Sequence, residues 1–356
     1  MKKVLVIQNK RIGDVLIASV IAQNIKQVFP QCTVNFFVYD FTTGVIENHP
    51  SIDRIISVKE KELKKIPELI RWIKKIRAEK YDILFDPYAK SQSKIISLFS
   101  GIPLRIGLVK PNKKLPFRFY TKVVRTLNHK THICGKAIED RIKMVTSVFE
   151  LKKENIDFEP KLFLSLKEKQ YHKLQNYKKP CIVLGIIGST PIKSMPYEYV
   201  VELVDYMTAN YDVNIIFNYA PHQKEDALQI YNQCTNKENI LIDLYEDSIR
   251  GFITLMNQCK LLISNEGGSV HIAKALDKPT FTIFSPYILK EHWASFEDGK
   301  KHTSIHLLEE KPELYKNLTP EDQKEMATNP SKMYRKFTPE LIKPKLEAFL
   351  SSYLKN

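Results

Sequence analysis

Short runs of β-branched and apolar residues alternate with longer amphipathic stretches, and the alternation passes along the chain twice. The first pass has Val4–Ile7, Val34–Val38, Ile55–Val58 and Ile83–Phe85; the second has Cys181–Ile186, Asn214–Phe217, Ile240–Ile242, Leu261–Ile263 and Thr280–Ile283. Each run is apolar almost throughout, as a parallel strand covered on both faces must be. Between them lie stretches of helical period such as Val15–Phe29, Leu63–Lys80, Tyr197–Asn210 and Ile249–Gln258. Strand and helix in strict turn define an α/β fold with parallel sheets. The polar break over Asn155–Pro180 splits the pattern into two Rossmann-like domains, residues 1–165 and 166–337, expected to face a central cleft. Residues 299–337, charged in both signs, predict a long and partly mobile surface excursion. Thr338–Leu354 has Leu341, Leu346, Phe349 and Leu350 at helical spacing, so 338–356 reads as a terminal helix that could return to the N-terminal domain.

Charge is unevenly shared between the halves. The 356 residues carry a net +15; residues 1–160 hold 30 Lys/Arg against 16 Asp/Glu, and the remaining 196 hold 25 against 24. A basic half facing a near-neutral one predicts an anionic partner on the N-terminal side, whether phosphorylated substrate, membrane surface or nucleic acid. The five cysteines are scattered without a CxxC, which fits a reducing cytoplasm better than a disulfide framework or a zinc ribbon. The apolar run Val4–Ile7 is too short for a signal peptide, and no stretch reaches the roughly 20 apolar residues of a membrane span.

Three turns could carry chemistry. Arg11-Ile12-Gly13-Asp14-Val15 follows the first strand and opens a helix, at the carboxyl end of a strand where ligands sit in such folds. It is not GxGxxG. Asp14 there suits either a carboxylate favoured by the helix dipole or a catalytic one. Ser264-Asn265-Glu266-Gly267-Gly268-Ser269-Val270-His271 also joins a strand to a helix; its two glycines allow close approach of a ligand, and helix amides present positive ends to a diphosphate. Gly188-Ser189-Thr190-Pro191-Ile192-Lys193 offers hydroxyls and an ammonium suited to phosphate oxygens. No Asp-x-Asp occurs, and His129, His132 and Cys134 have no second cluster to complete a tetrahedral site, so no metal and no cofactor are expected.

In these turns the sequence resembles glycosyltransferase family 9, the ADP-heptose:lipopolysaccharide heptosyltransferases. The likeness runs from Val4 to about Pro286. It includes Arg11–Val15, His49-Pro-Ser-Ile-Asp53, Tyr81–Asp86, Arg105-Ile-Gly107, Gly188-Ser-Thr with Lys193, Ala220-Pro-His222, and Asn265-Glu-Gly-Gly268 leading to His271 and Lys278-Pro279. The resemblance implies a GT-B fold and an inverting, metal-independent transfer of heptose from ADP-heptose to an anionic lipid A–core acceptor. It makes Asp14 the base on the acceptor hydroxyl and Lys193 the cation on the donor phosphates. Gly13, Ser189, Thr190, Gln223, Glu266, Gly267, Gly268, Ser269 and His271 would complete the donor site, with Gln223 where some members have a ribose-binding Glu. Lys10, Arg11, Lys110, Lys113, Lys114, Arg118 and Lys122 would face the acceptor at the inner surface of the cytoplasmic membrane, with no nucleic acid involved. Glu266, Gly267 and Met195 depart from the commoner family residues. A nucleotide-sugar epimerase and a non-catalytic anion- or nucleic-acid-binding protein are the alternatives.

Overall fold

The computed structural model describes every residue except 1, 114–117, 186, 191–192, 317, 320, 323–330 and 355–356. Lys114 therefore lies outside the described residues, as does part of the 299–337 segment. The chain forms two compact units. One is Met1–Ser165 with Glu291–Ser295; the other is Leu166–Lys290 with Phe296–Asn356.

In the N-terminal unit β1 (Lys3–Gln8), β2 (Thr33–Tyr39), β3 (Arg54–Val58), β4 (Ile83–Asp86), β5 (Leu104–Val109) and β6 (Lys122–Arg125) form a parallel sheet in the order β3-β2-β1-β4-β5-β6. The order reverses between β1 and β4, which makes their carboxyl ends the topological switch point where such sheets bind ligands. Helix α1 (Ile12–Val28) leaves this point. It is buried from Val15 through Ile25: most of LIASVIAQNI is apolar, and the polar Ser19, Gln23 and Asn24 donate to the Leu16, Glu159 and Val20 carbonyls. Helices α2 (Ile66–Ala78), α3 (Ser91–Phe99) and α4 (Lys136–Thr146) complete the layers. Strands β5 and β6 are additions to the expected set. β6 is an edge strand with exposed Lys122 and Arg125, so charge hides its extended character.

In the C-terminal unit β7 (Cys181–Gly185), β8 (Asn214–Asn218), β9 (Leu262–Asn265), β10 (Thr280–Ile283) and β11 (His302–Ile305) are ordered β11-β10-β9-β7-β8, all parallel. The switch point here lies between β7 and β9. Helices α5 (Tyr197–Asn210), α6 (Lys224–Gln233), α7 (Ile249–Gln258) and α8 (Gly268–Ala275) connect the strands. β7 and β9 approach closely: a Cβ on Gly185 would stand 2.1 Å from the Ser264 hydroxyl oxygen.

Three expectations are corrected. Ile240–Ile242 is no strand; it meets the sheet by one bridge, Ile240 to Ile215, before the chain turns at Leu241–Leu244. The supposed surface excursion contains β11, whose four residues are all buried. Its polar sequence is tolerated because the His302 ring pairs with the Thr280 hydroxyl at 3.1 Å. The terminal helix α9 (Pro339–Tyr353) packs on the C-terminal unit, not the N-terminal one. Ile342, Leu346, Phe349 and Leu350 join that unit's core, with Phe349 and Phe281 ring centres 5.7 Å apart.

Candidate active site

At the first switch point Asp14 is the third residue of α1, and no side chain caps the helix at Arg11. Its carboxylate, whose side chain is 12% exposed, accepts a hydrogen bond from Lys10 Nζ at 2.7 Å and lies 3.7 Å from the Arg141 guanidinium. Arg141 is buried on α4, donating to the Ala137 carbonyl at 2.6 Å. Its Nε is buried without a hydrogen-bond partner among the described residues. Two cations thus stand against one enclosed carboxylate. The neighbouring β4 terminus holds a different carboxylate, Asp86. It is wholly buried and accepts from Tyr88 N, Ala89 N and, at 2.6 Å, the Tyr120 hydroxyl. Burial pushes its pKa up while those donors oppose the shift, and the tight geometry marks it as a structural turn. Tyr120 reaches it by lying over Gly107, where a Cβ would stand 2.4 Å from the ring.

The described basic residues expected beside the acceptor each have contacts of their own. Lys10 touches Asp14, and the Arg11 guanidinium lies 5.9 Å from the centre of the Phe41 ring. Lys110 and Lys113 lend their carbonyls to Arg125, Arg118 lies against Phe119, and Lys122 donates to the Ser147 carbonyl from the edge strand.

At the second switch point Lys193 Nζ stands 3.1 Å from Glu266 Oε1, and Glu266 Oε2 accepts the Ser285 amide at 3.0 Å. Burial raises the Glu266 pKa, and Lys193 pulls it back. Gly267 precedes α8 with open space around it, and the Gly268 and Ser269 amides begin the helix; Ser269 and Ser264 hydroxyls are 3.2 Å apart. His271 lies one turn into α8 and is itself engaged in a further interaction. Ser189 and Thr190 are exposed, and the Thr190 carbonyl accepts the Lys193 amide at 2.9 Å. Gly188 is packed so closely on the Lys193 carbonyl that a Cβ would stand 2.2 Å from it. Gln223 uses both ends of its amide within the fold, accepting from Ala220 N and donating to the Gly188 carbonyl, so it fastens the Gly188 loop to the β8 turn. A small cavity at the switch point is lined by Leu184, Gly185, Met195, Ser264, Asn265 and Ile283 among others, and the Asn265 amide nitrogen is buried without a hydrogen-bond partner among the described residues. An open glycine turn, the first amides of a helix and a lysine are groups of the kind that hydrogen-bond phosphate oxygens. Among the described residues no three His, Cys, Asp or Glu side chains gather as a metal site would.

Sequence reasoning missed Arg141 and Ser285. No local period marks either, because each acquires its role from a partner more than fifteen residues distant.

Two Rossmann-like units with parallel sheets constitute the GT-B fold of a glycosyltransferase. The ADP-heptose lipopolysaccharide heptosyltransferase II of Escherichia coli superposes with a TM-score of 0.71, at 18% identity over 98% of each chain. The E. coli heptosyltransferase WaaC, solved with ADP-2-deoxy-2-fluoro heptose, gives 0.69 at 17% identity over 97% of this chain and 99% of that one. In sequence, lipopolysaccharide heptosyltransferase 1 of Campylobacter coli is 24% identical over 291 residues, 79% of this chain and 83% of its own. Residues 69–319 match the family glycosyltransferase family 9 (heptosyltransferase), and the chain belongs to that family.

Proposed function

We propose that this glycosyltransferase moves a heptose from ADP-heptose to an anionic inner-core lipopolysaccharide acceptor by inverting, metal-independent displacement. The observation that carries the reading is Asp14, an enclosed carboxylate at the β1–α1 switch point held between Lys10 and Arg141. In the reaction Asp14 takes the proton of the acceptor hydroxyl while its oxygen bonds to the anomeric carbon and the bond to ADP breaks. Lys193 and the amides of Gly268 and Ser269 receive the charge that builds on the leaving diphosphate. Ser189, Thr190 and His271 border the same donor site, with Gly267 giving the phosphates room. Acceptor capture at the inner face of the cytoplasmic membrane accounts for the basic N-terminal half; no described helix is long and apolar enough to cross a membrane. Incubation with ADP-heptose tests this directly: ADP should appear only when a lipopolysaccharide core acceptor is added, with and without EDTA. ADP release indifferent to acceptor, or a requirement for a divalent ion, overturns it.

A further inference from the structure

The segment Glu291–Ser295 lies between β10 and β11 in sequence yet belongs to the N-terminal unit. Its backbone is pinned there. Glu291 accepts from the Lys130 amide at 3.3 Å and pairs with His129 Nδ1 at 3.1 Å, while Ala294 and Ser295 are buried. The Ala294 carbonyl packs so closely on Gly135 that a Cβ there would stand 2.1 Å away, and Gly135 has φ +85°, so this seat requires glycine twice over. Between these anchors the Trp293 indole is 41% exposed. The Lys10 ammonium sits 5.3 Å from the indole centre and 5.7 Å from that of Tyr88, and the same ammonium bonds Asp14.

We propose that Trp293 and Lys10 form the acceptor subsite, with an acidic sugar ring lying on the indole and its anionic group on the Lys10 ammonium. An exposed indole on a fixed backbone suits the apolar C–H face of a sugar, with little side-chain entropy lost on binding. A cation already lodged between two rings gives the sugar's charge a partner beside the base. The acidic group draws Lys10 from Asp14, so acceptor binding frees the carboxylate to take the hydroxyl proton. The inference rests on the reading of Asp14 as the base.

The test uses the full chain and deacylated inner-core oligosaccharide as probe. Three forms are compared: native, carboxyl-reduced and dephosphorylated. Trp293→Ala should weaken oligosaccharide binding and raise the acceptor KM by about tenfold, in the range expected of a buried aromatic contact, while Trp293→Phe keeps most of the affinity. Lys10→Met should weaken native oligosaccharide similarly and lose discrimination against whichever modified form the wild type binds poorly, which tells carboxylate from phosphate. ADP affinity, unchanged in all three variants, shows that they are folded. Wild-type binding with Trp293→Ala indistinguishable from it overturns this subsite alone. Failure of the wild type to bind or glycosylate the native oligosaccharide overturns the proposed function and the subsite together.

Discussion

Lys193 Nζ stands 3.1 Å from Glu266 Oε1, and the other Glu266 oxygen is committed to the Ser285 amide. The lysine thus leans on a carboxylate that burial already discourages from ionising, and a diphosphate offers it a stronger partner. Lys193→Ala should weaken ADP binding by about 10- to 100-fold, the worth of a charge-assisted hydrogen bond, and slow transfer as well. Calorimetry with ADP and steady-state kinetics measure both; undiminished ADP affinity removes Lys193 from the donor site.

Asp14→Asn keeps the shape of the β1–α1 turn but cannot accept a proton. Turnover should fall by about 100-fold or more, with ADP affinity within a few-fold of wild type. Equal losses in binding and turnover would assign Asp14 a structural role.

Gly185→Ala should destabilise the C-terminal unit by about 1–3 kcal/mol, because the new methyl meets the Ser264 hydroxyl on the neighbouring strand. Ser264→Ala in the same chain should recover only part of the loss, since the Ser264 Cβ is itself 2.9 Å from that position. Denaturant unfolding reads both; an unchanged midpoint for the single variant contradicts the close approach.

His49 is buried, with Nδ1 accepting the Ser51 amide and Nε2 facing Gln23, and burial lowers its pKa to about 4. A base held neutral in the fold contributes stability above its ordinary pKa and loses it as pH falls from about 6.5 towards 4. This one group should cost about 1 kcal/mol by pH 5.5. The decline of the thermal midpoint between pH 7 and 5 should be shallower in His49→Gln; parallel profiles would refute the assignment.

Raising the salt from 50 to 300 mM should increase the acceptor KM several-fold while ADP affinity changes less. On the proposed function the acceptor would meet exposed charges that are screened beyond roughly 8 Å at physiological ionic strength, and the donor half-buried groups. Matching salt responses for donor and acceptor would leave the basic N-terminal half without its explanation.

Most of the sheet architecture was legible because buried parallel strands need unbroken apolar runs, as Val4–Ile7 and Leu261–Ile263 show. Elsewhere the signal failed: Arg105 and Gly107 interrupt the apolar run of the interior strand Leu104–Val109, the edge strand Lys122–Arg125 is charged, and His302–Ile305 is polar yet buried through its pairing with Thr280. Ile240–Ile242 failed in the opposite sense, since an apolar triplet followed by a turn has no room to pair.

The candidate site divides in the same way. By itself the amino-acid sequence determined the alternation of strands and helices, the uneven charge, the turns bearing Asp14, Lys193 and Glu266, and the resemblance to one family, because these are local patterns of residue type. Only the tertiary structure decided that Arg141 backs Asp14, that Gln223 ties down the Gly188 loop, that the last helix joins the C-terminal core, and that Trp293 belongs to the N-terminal unit. Each of those depends on groups brought together from distant parts of the chain, by burial and by close backbone contacts such as Gly135 on Ala294, which leave no periodic trace in the order of residues.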